Sequence, residues 1–210
     1  MNPSMQMLLA SGASKVVEFV AVASRKNTAN GTTLVIDKPT GTVDGDVMIA
    51  VIGVVFEDST WTVPSGWTEL YDQGVKPNLC VARRTASSEG ASYTFTSSAS
   101  RVSGGSILTY RNAAYDVIGS ATTGTAALLT APQITAAGGV LLASYANVDG
   151  VKTFTTPTGM ASVVTDVGFG DPAWHIFSET VGAGATGSRA STQSASGTAS
   201  AGILLSLKLA

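Results

Sequence analysis

The sequence has very few of the residues that usually form reactive or metal-binding sites. Among 210 residues there is one cysteine and one histidine, which excludes an intrachain disulfide and a site with several cysteine ligands. Cys80 lies between Leu79 and Val81, and this setting predicts a small buried side chain. His175 lies in the apolar run AWHIF, which predicts a core residue of a strand rather than a catalytic base.

Charged residues are also scarce. They make up 12% of the chain, the formal net charge is −2, and the 12 lysines and arginines are scattered, with Arg25–Lys26 and Arg83–Arg84 as the adjacent pairs. A nucleic-acid groove or an anionic membrane site would concentrate basic charge, so we expect neither partner. No run of about twenty apolar residues occurs, and the N-terminus lacks the basic stretch of a signal peptide. We therefore expect no membrane span and no classical secretion.

A helical period of useful length is missing as well, and Gly, Ser, Thr, Ala and Val dominate instead. Turn signals recur about every 8 to 12 residues, which is typical of an antiparallel β-sandwich. Tyr93 and Phe95 alternate with Thr94 and Thr96, as in a half-buried strand. The run Val47–Phe56 is apolar on both faces, which predicts a central strand covered on both sides, by this subunit or by a neighbour.

The chain contains an internal repeat. Gly31–Trp67 returns as Gly124–Met160 at a constant offset without a gap, and about a third of the positions are identical. The identities include turn-forming residues: Pro39 and Pro132, Gly45 and Gly138, Pro64 and Pro157, Gly66 and Gly159. With small insertions the repeat extends to residues 16–111 and 114–208. We predict an N-terminal arm (1–15) and an all-β, jelly-roll-like sandwich (16–210) built from two related halves.

Two tandem small sandwiches are the alternative architecture. We favour one sandwich because no linker rich in Pro, Gly or charge separates Tyr110 from Val117.

Three aromatic residues form the first candidate site. Trp61, Trp67 and Tyr71 surround the turn Pro64–Gly66, and exposed aromatic rings in such an arrangement could stack on sugars. The second copy has Phe154 and Met160 in place of the two tryptophans. Those residues preserve bulk rather than a stacking surface, so packing in the core is the favoured interpretation.

Two acids form the second candidate site. Asp44 and Asp46 bracket Gly45 and could bind Ca²⁺ or act together with Glu57 and Asp58. The second copy has Ala137–Gly139 at this place, so stabilisation of a turn is favoured over metal binding. No G-x-S-x-G elbow, phosphate loop or zinc spacing occurs, and no cofactor is expected. A glycosidase-like pair of acids that meet in space stays open, but we predict that the chain is not an enzyme.

The order of several motifs resembles a group of tailed-bacteriophage structural proteins. The motifs are GDVMIA at Gly45, PSGW at Pro64, VARR at Val81, SYTFT at Ser92 and ILTYR at Ile107. The likeness covers about residues 45–111 well and the second copy more loosely. One departure is Asn112, because the group commonly has glycine after its Tyr-Arg pair. The resemblance implies a β-sandwich that serves in a tail, a fibre or as head decoration, and it implies no catalytic residue.

From this resemblance we expect a non-enzymatic virion protein, first of all a capsid decoration or cement protein. Its partners would be the major capsid protein or tail proteins, it would form a symmetric homo-oligomer such as a trimer, and it would assemble in the host cytoplasm. The N-terminal arm would lie across an adjacent subunit. The alternatives are a tail or fibre subunit and, from another class, a carbohydrate-binding module used in host recognition.

Overall fold

The computed structural model describes residues 15–54, 58–150, 152–165 and 172–210. All regular elements in these ranges are β-strands, which confirms the prediction of an all-β fold. The first copy contributes β1 Glu18–Lys26, β2 Gly31–Asp37, β3 Val47–Val54, β4 Trp61–Thr62, β5 Thr68–Asp72, β6 Cys80–Thr85, β7 Ser92–Arg101 and β8 Ser103–Arg111. The second contributes β9 Ala113–Ile118, β10 Thr122–Gly124, β11 Leu128–Ala131, β12 Thr135–Asn147, β13 Ala161–Thr165, β14 Ala173–Ala185, β15 Arg189–Thr192 and β16 Ser200–Leu209.

The first copy pairs its strands in a nested order. Strand β1 pairs with β8, β2 with β7 and β3 with β6, all antiparallel, while β8 also pairs with β3. The result is a five-stranded sheet in the order β1-β8-β3-β6-β5 and a three-stranded sheet in the order β2-β7-β4. Nested pairing of this kind, distributed over two facing sheets, is the jelly-roll arrangement.

The second copy repeats this topology. Its large sheet has the order β16-β12-β14-β13, and β9 and β10 together pair along β16, where the first copy has β1 alone. Its small sheet is β11-β15, extended by a bridge between Phe154 and Gln193 at the place that β4 takes in the first copy. The repeat in the sequence is therefore a repeat of topology.

Three apolar clusters hold the sheets together. One lies between the two sheets of the first copy, one between the two sheets of the second copy, and the third contains residues of both large sheets. Strand β3 shows the division: Met48, Ala50 and Ile52 pack into the first cluster, and Val47, Ile49 and Val51 pack into the third. The predicted central strand covered on both faces is confirmed for residues 47–52, and its second cover is the other copy of the repeat. Val55 and Phe56, the end of the predicted run, lie outside the described residues.

Pairing and packing together produce a stack of four layers: a small sheet, two large sheets and a second small sheet. Each copy closes its own sandwich, because the pairs between named strands stay within a copy, and the shared cluster joins the two sandwiches. The missing linker predicts one sandwich built from two halves. In the structure each copy closes its own sandwich, as in the tandem alternative. The two sandwiches nevertheless share one apolar cluster, as two halves of one domain do.

Trp174 in β14 anchors the second copy on the first. Its indole Nε1 donates a hydrogen bond to Ser106 Oγ in β8 at 2.8 Å, and its ring lies against Gly104. The ammonium group of Lys26 lies 5.1 Å from the centre of the same ring, a cation–π distance. The contact between the copies is thus specific as well as apolar.

The predicted N-terminal arm lies almost wholly outside the described residues, which begin at Lys15. Within the described ranges, no helix is long and apolar enough to cross a bilayer.

Candidate functional site

Asp46 is a buried structural acid. Its side chain accepts hydrogen bonds from Arg111 Nε at 3.0 Å and Arg111 Nη2 at 2.9 Å, and from the backbone N–H of Val43 at 3.0 Å. The same Nη2 also donates to the carbonyl of Gly41 at 3.0 Å. Hydrogen bonding to Asp46 raises the pKa of Arg111 above its ordinary value. The arrangement ties the turn before β3 to the end of β8.

Asp44 contacts a different segment of backbone from Asp46. It is exposed, and its Oδ1 accepts the backbone N–H of Ser88 at 2.8 Å, which joins the turn to the loop after β6. The two acids therefore hold different segments of backbone, as expected of residues that stabilise turns. Glu57, their proposed partner, lies outside the described residues.

The aromatic trio is divided between two sides of a sheet. Trp61 is 4% exposed and Trp67 is 7% exposed, and both belong to the inner core of the first copy. Trp61 Nε1 donates to Asn78 Oδ1 at 2.6 Å, and the Trp67 ring meets Tyr93 edge-on at 5.1 Å. Tyr71 packs against the shared cluster instead. The favoured core interpretation is confirmed for both tryptophans, and the three rings form no common stacking surface.

His175 lies in the core of the second copy. It is 2% exposed, and its ring lies 5.4 Å from the Phe154 ring and 6.2 Å from the Phe177 ring. The predicted core position is confirmed. Since the imidazole is buried beside two phenyl rings, it is not presented to a substrate in solvent.

The β5–β6 hairpin brings together a cluster that the sequence analysis missed. Ligand atoms of Glu69, Asp72 and Cys80 lie within 4.8 Å of one another. Asp72 already accepts two backbone N–H groups, from Trp61 at 2.7 Å and Gly74 at 3.1 Å. Burial raises the pKa of the Cys80 thiol, which disfavours the thiolate that a metal would need. These contacts indicate that the three residues form a structural cluster and not a metal site. The cluster could have been predicted only from the register of the hairpin, which the sequence does not show.

Each copy supports one tight turn with a partly buried ion pair, and the charges are reversed between the copies. In the first copy Arg84 pairs with Glu89 and donates to the carbonyl of Ser65 in the PSGW turn. In the second, Glu179 pairs with Arg189 beside the corresponding turn. The PSGW motif is thus a part of the scaffold.

An open groove of about 390 Å³ lies between β1 and β2, where the large and small sheets of the first copy separate. Its lining is mostly polar and includes both signs of charge. The lining residues are Ser24, Arg25, Asn27, Thr33, Val35 and Asp37. No sequence motif marks this region, because the residues that line it come from two strands of different sheets.

The outer faces of both small sheets are poor in charge. In the first copy, Thr33 lies opposite Thr96, which lies opposite Thr62, so threonines form a row across three strands. Val35 lies opposite Thr94 in the next row. The second copy presents Leu128 opposite Thr192, Thr192 hydrogen-bonded to Thr155, and Thr130 opposite Ala190. The row after Val35 and Thr94 contains Asp37 opposite Ser92. Asp37 is the one charged residue among the outward-facing pairs named in this paragraph.

The chain matches no family model, no curated protein and no solved structure. Its function is therefore inferred from the arrangement of its own residues.

Proposed function

We propose that this protein is a non-enzymatic structural subunit of a tailed-phage virion, most specifically a capsid decoration protein. The observation that carries the proposal is the four-layer stack that ends, on both outer sides, in a sheet face of Thr, Val, Leu and Ala with little charge. The motif resemblance described above supports the same assignment.

The outer faces suit contact with neighbouring proteins. Burying an ionised side chain costs several kcal/mol by rough estimates, whereas hydroxyl and aliphatic groups lose much less on desolvation. The centres of protein interfaces are accordingly depleted in charged residues. Since the repeat places one such face on each side, a single subunit can contact two neighbours at once.

The acids and the histidine that were considered for catalysis serve the scaffold instead. Asp46 is bound by Arg111, Asp44 holds the loop at Ser88, and His175 is buried beside aromatic rings. These positions, all within the described residues, favour a structural role over a chemical one.

A second groove, near the start of the described chain, also suits contact with a neighbouring subunit. An open groove of about 420 Å³ is lined by Lys15–Val17, Gly138–Val140, Thr180 and Leu209. Val16 is 65% exposed and Leu209 46% exposed, so the groove presents apolar side chains that a protein partner could cover. We propose that a neighbouring subunit covers this groove.

Counting copies per particle tests the proposal. Quantitative mass spectrometry of purified virions should find hundreds of copies for a decoration protein; tens or fewer would favour the tail or fibre alternative, and none would contradict a virion role.

Thr94→Lys and Thr192→Lys each place one charge on an outer face and should reduce occupancy several-fold. Thr85→Lys, exposed but outside these faces, is the matched control.

Deleting residues 1–14 tests the contribution of the N-terminal arm. Occupancy on particles should fall if the arm attaches one subunit to another. Full occupancy after the deletion would remove the arm from the assembly mechanism and leave the sheet faces as its basis.

A further inference from the structure

The groove between β1 and β2 has the size and the mixed lining of a binding site. At about 390 Å³ it falls within the range of small-molecule sites, roughly 300–1,000 Å³. One wall carries Arg25 and Asn27 at the end of β1, and the other carries Thr33, Val35 and Asp37 along β2.

Two oppositely charged side chains line the groove, and they do not form an ion pair with each other. Neither the Arg25 guanidinium nor the Asp37 carboxylate makes an ion pair or a side-chain hydrogen bond with the described residues. Their donor and acceptor positions are therefore free for a ligand that bridges them. Asn27 gives this wall a fixed shape, because its Nδ2 donates to the carbonyl of Thr33 at 2.8 Å and to Ser103 Oγ at 3.1 Å.

The second copy of the repeat shows that these charges are not required by the fold. The segments that correspond to the positions of Arg25 and Asp37, β10 with sequence TTG and β11 with sequence LLTA, carry no charged residue. The second sandwich nevertheless closes with the same topology. Arg25 and Asp37 are therefore additions to the scaffold, located where the two sheets leave an opening.

The chemistry of the lining selects the class of ligand. Asp37 repels an anion, Arg25 repels a cation, and both disfavour an apolar molecule because it would desolvate them. A neutral polyhydroxylated ligand satisfies both, since its hydroxyls can donate to the carboxylate and accept from the guanidinium in charge-assisted hydrogen bonds. Val35, 44% exposed, offers an aliphatic surface for the C–H face of a sugar ring.

The groove also continues onto the outer face of the small sheet. Thr33 and Val35 line the groove and are, at the same time, members of the rows that contain Thr96 and Thr94. A ligand longer than one sugar unit can therefore extend from the groove along hydroxyl-bearing side chains. We infer that the β1–β2 groove binds a neutral oligosaccharide through Arg25, Asp37 and Val35.

This site lies apart from the Trp61–Trp67 turn, and it does not depend on the proposed virion role. Because Thr33 and Val35 also belong to the outer face proposed for contact with a neighbour, the groove is open to a ligand in the free chain and in an assembly that leaves this face uncovered.

Amide chemical-shift mapping on the full-length ¹⁵N-labelled chain tests the inference. The probes are maltohexaose, cellohexaose and chitohexaose, with glycylglycine and inorganic phosphate as charged comparisons. We expect saturable shifts of the amides of β1 and β2 with at least one hexasaccharide. Asp37→Asn and Arg25→Gln should each weaken that binding roughly tenfold or more, as expected on losing a hydrogen bond to a charged group.

Glu18→Gln and Lys208→Gln are matched controls, because both residues are exposed and lie outside the groove. They should leave the binding unchanged, and the undisturbed spectrum of each variant verifies its fold. The inference is overturned if no hexasaccharide shifts the β1 and β2 amides, if only glycylglycine or phosphate does so, or if the groove variants bind as well as the controls.

Discussion

Gly104 lies at a close contact between the two copies of the repeat. A Cβ atom at this position would overlap the indole ring of Trp174, whereas one at Gly31 would have no atom within 4 Å. The absence of a side chain thus lets Trp174 reach Ser106 and form its hydrogen bond.

Gly104→Ala should therefore destabilise the protein by about 1–3 kcal/mol, the usual cost of overpacking a core. Urea denaturation followed by circular dichroism measures the effect. Gly31→Ala is the control and should change the free energy of unfolding by less than about 1 kcal/mol. Equal losses in both variants would show that the loss comes from the strand backbone and not from the Trp174 contact.

Ionisation of Glu89 contributes to the stability of the fold. Burial alone would raise its pKa, but hydrogen bonds from the Ser87 backbone, Arg84 and Tyr93 lower the pKa below the ordinary value of 4.5. A carboxylate with a depressed folded-state pKa adds stability above its unfolded pKa, and the contribution is lost as the pH falls through the folded pKa.

Glu89→Gln should accordingly cost stability at pH 7 and progressively less below about pH 4.5. Urea midpoints of both proteins, measured between pH 7 and pH 3, give the difference directly. A difference that stays constant over this range would show that the Glu89 charge has no part in it.

At the scale of elements, the reversed ion pairs show how the repeat has diverged. Arg84 and Glu179 lie beside corresponding turns, at Gly66 and Gly159, and each pairs with an opposite charge, Glu89 in a loop and Arg189 at the start of β15. What the turn needs is an oppositely charged pair, and either orientation provides it.

Reversing the first pair tests this view. Arg84→Glu alone places two acids together and should lower the urea midpoint, and the double variant Arg84→Glu, Glu89→Arg should recover part of the loss. The coupling follows from a double-mutant cycle. The Arg84 hydrogen bond to the carbonyl of Ser65 is lost in both variants, so complete recovery is not expected. If the double variant is no more stable than the single one, the two orientations are not equivalent.

At the scale of the whole molecule, the shared cluster makes the two sandwiches one unit. Each large sheet has two apolar faces, and only one of them can be covered by the small sheet of its own copy. The other face needs the second copy, which explains why a short connection at Asn112 suffices and why no flexible linker separates the copies.

Chains cut at this boundary, 1–111 and 112–210, should therefore depend on each other. Either fragment alone should bind 8-anilinonaphthalene-1-sulfonate strongly or aggregate, because its large sheet exposes apolar side chains. The two fragments, expressed together, should purify as a complex. Two soluble fragments that neither bind the dye nor associate would contradict a shared core.

Several strands and core positions could be predicted from particular residues. The alternation around Tyr93 and Phe95 predicted a half-buried strand, the replacement of Trp61 by Phe154 in the second copy predicted a core position, and the setting of His175 predicted burial. The partner of Asp46 could not be predicted, since Arg111 lies 65 residues further along the chain. The Glu69–Asp72–Cys80 cluster and the β1–β2 groove were missed for another reason: their residues are close in the chain, but the register of the β5–β6 hairpin and the separation of the two sheets decide which of them meet.

The sequence by itself determined the all-β class, the approximate strands and the repeat, because alternation, β-branched residues and turn-forming Gly and Pro act within a few residues of each other. The tertiary structure decided the nested pairing, the division into four layers and the residues that share a groove. Those features depend on the register between distant strands and on which apolar faces meet, and both are fixed by packing over long range.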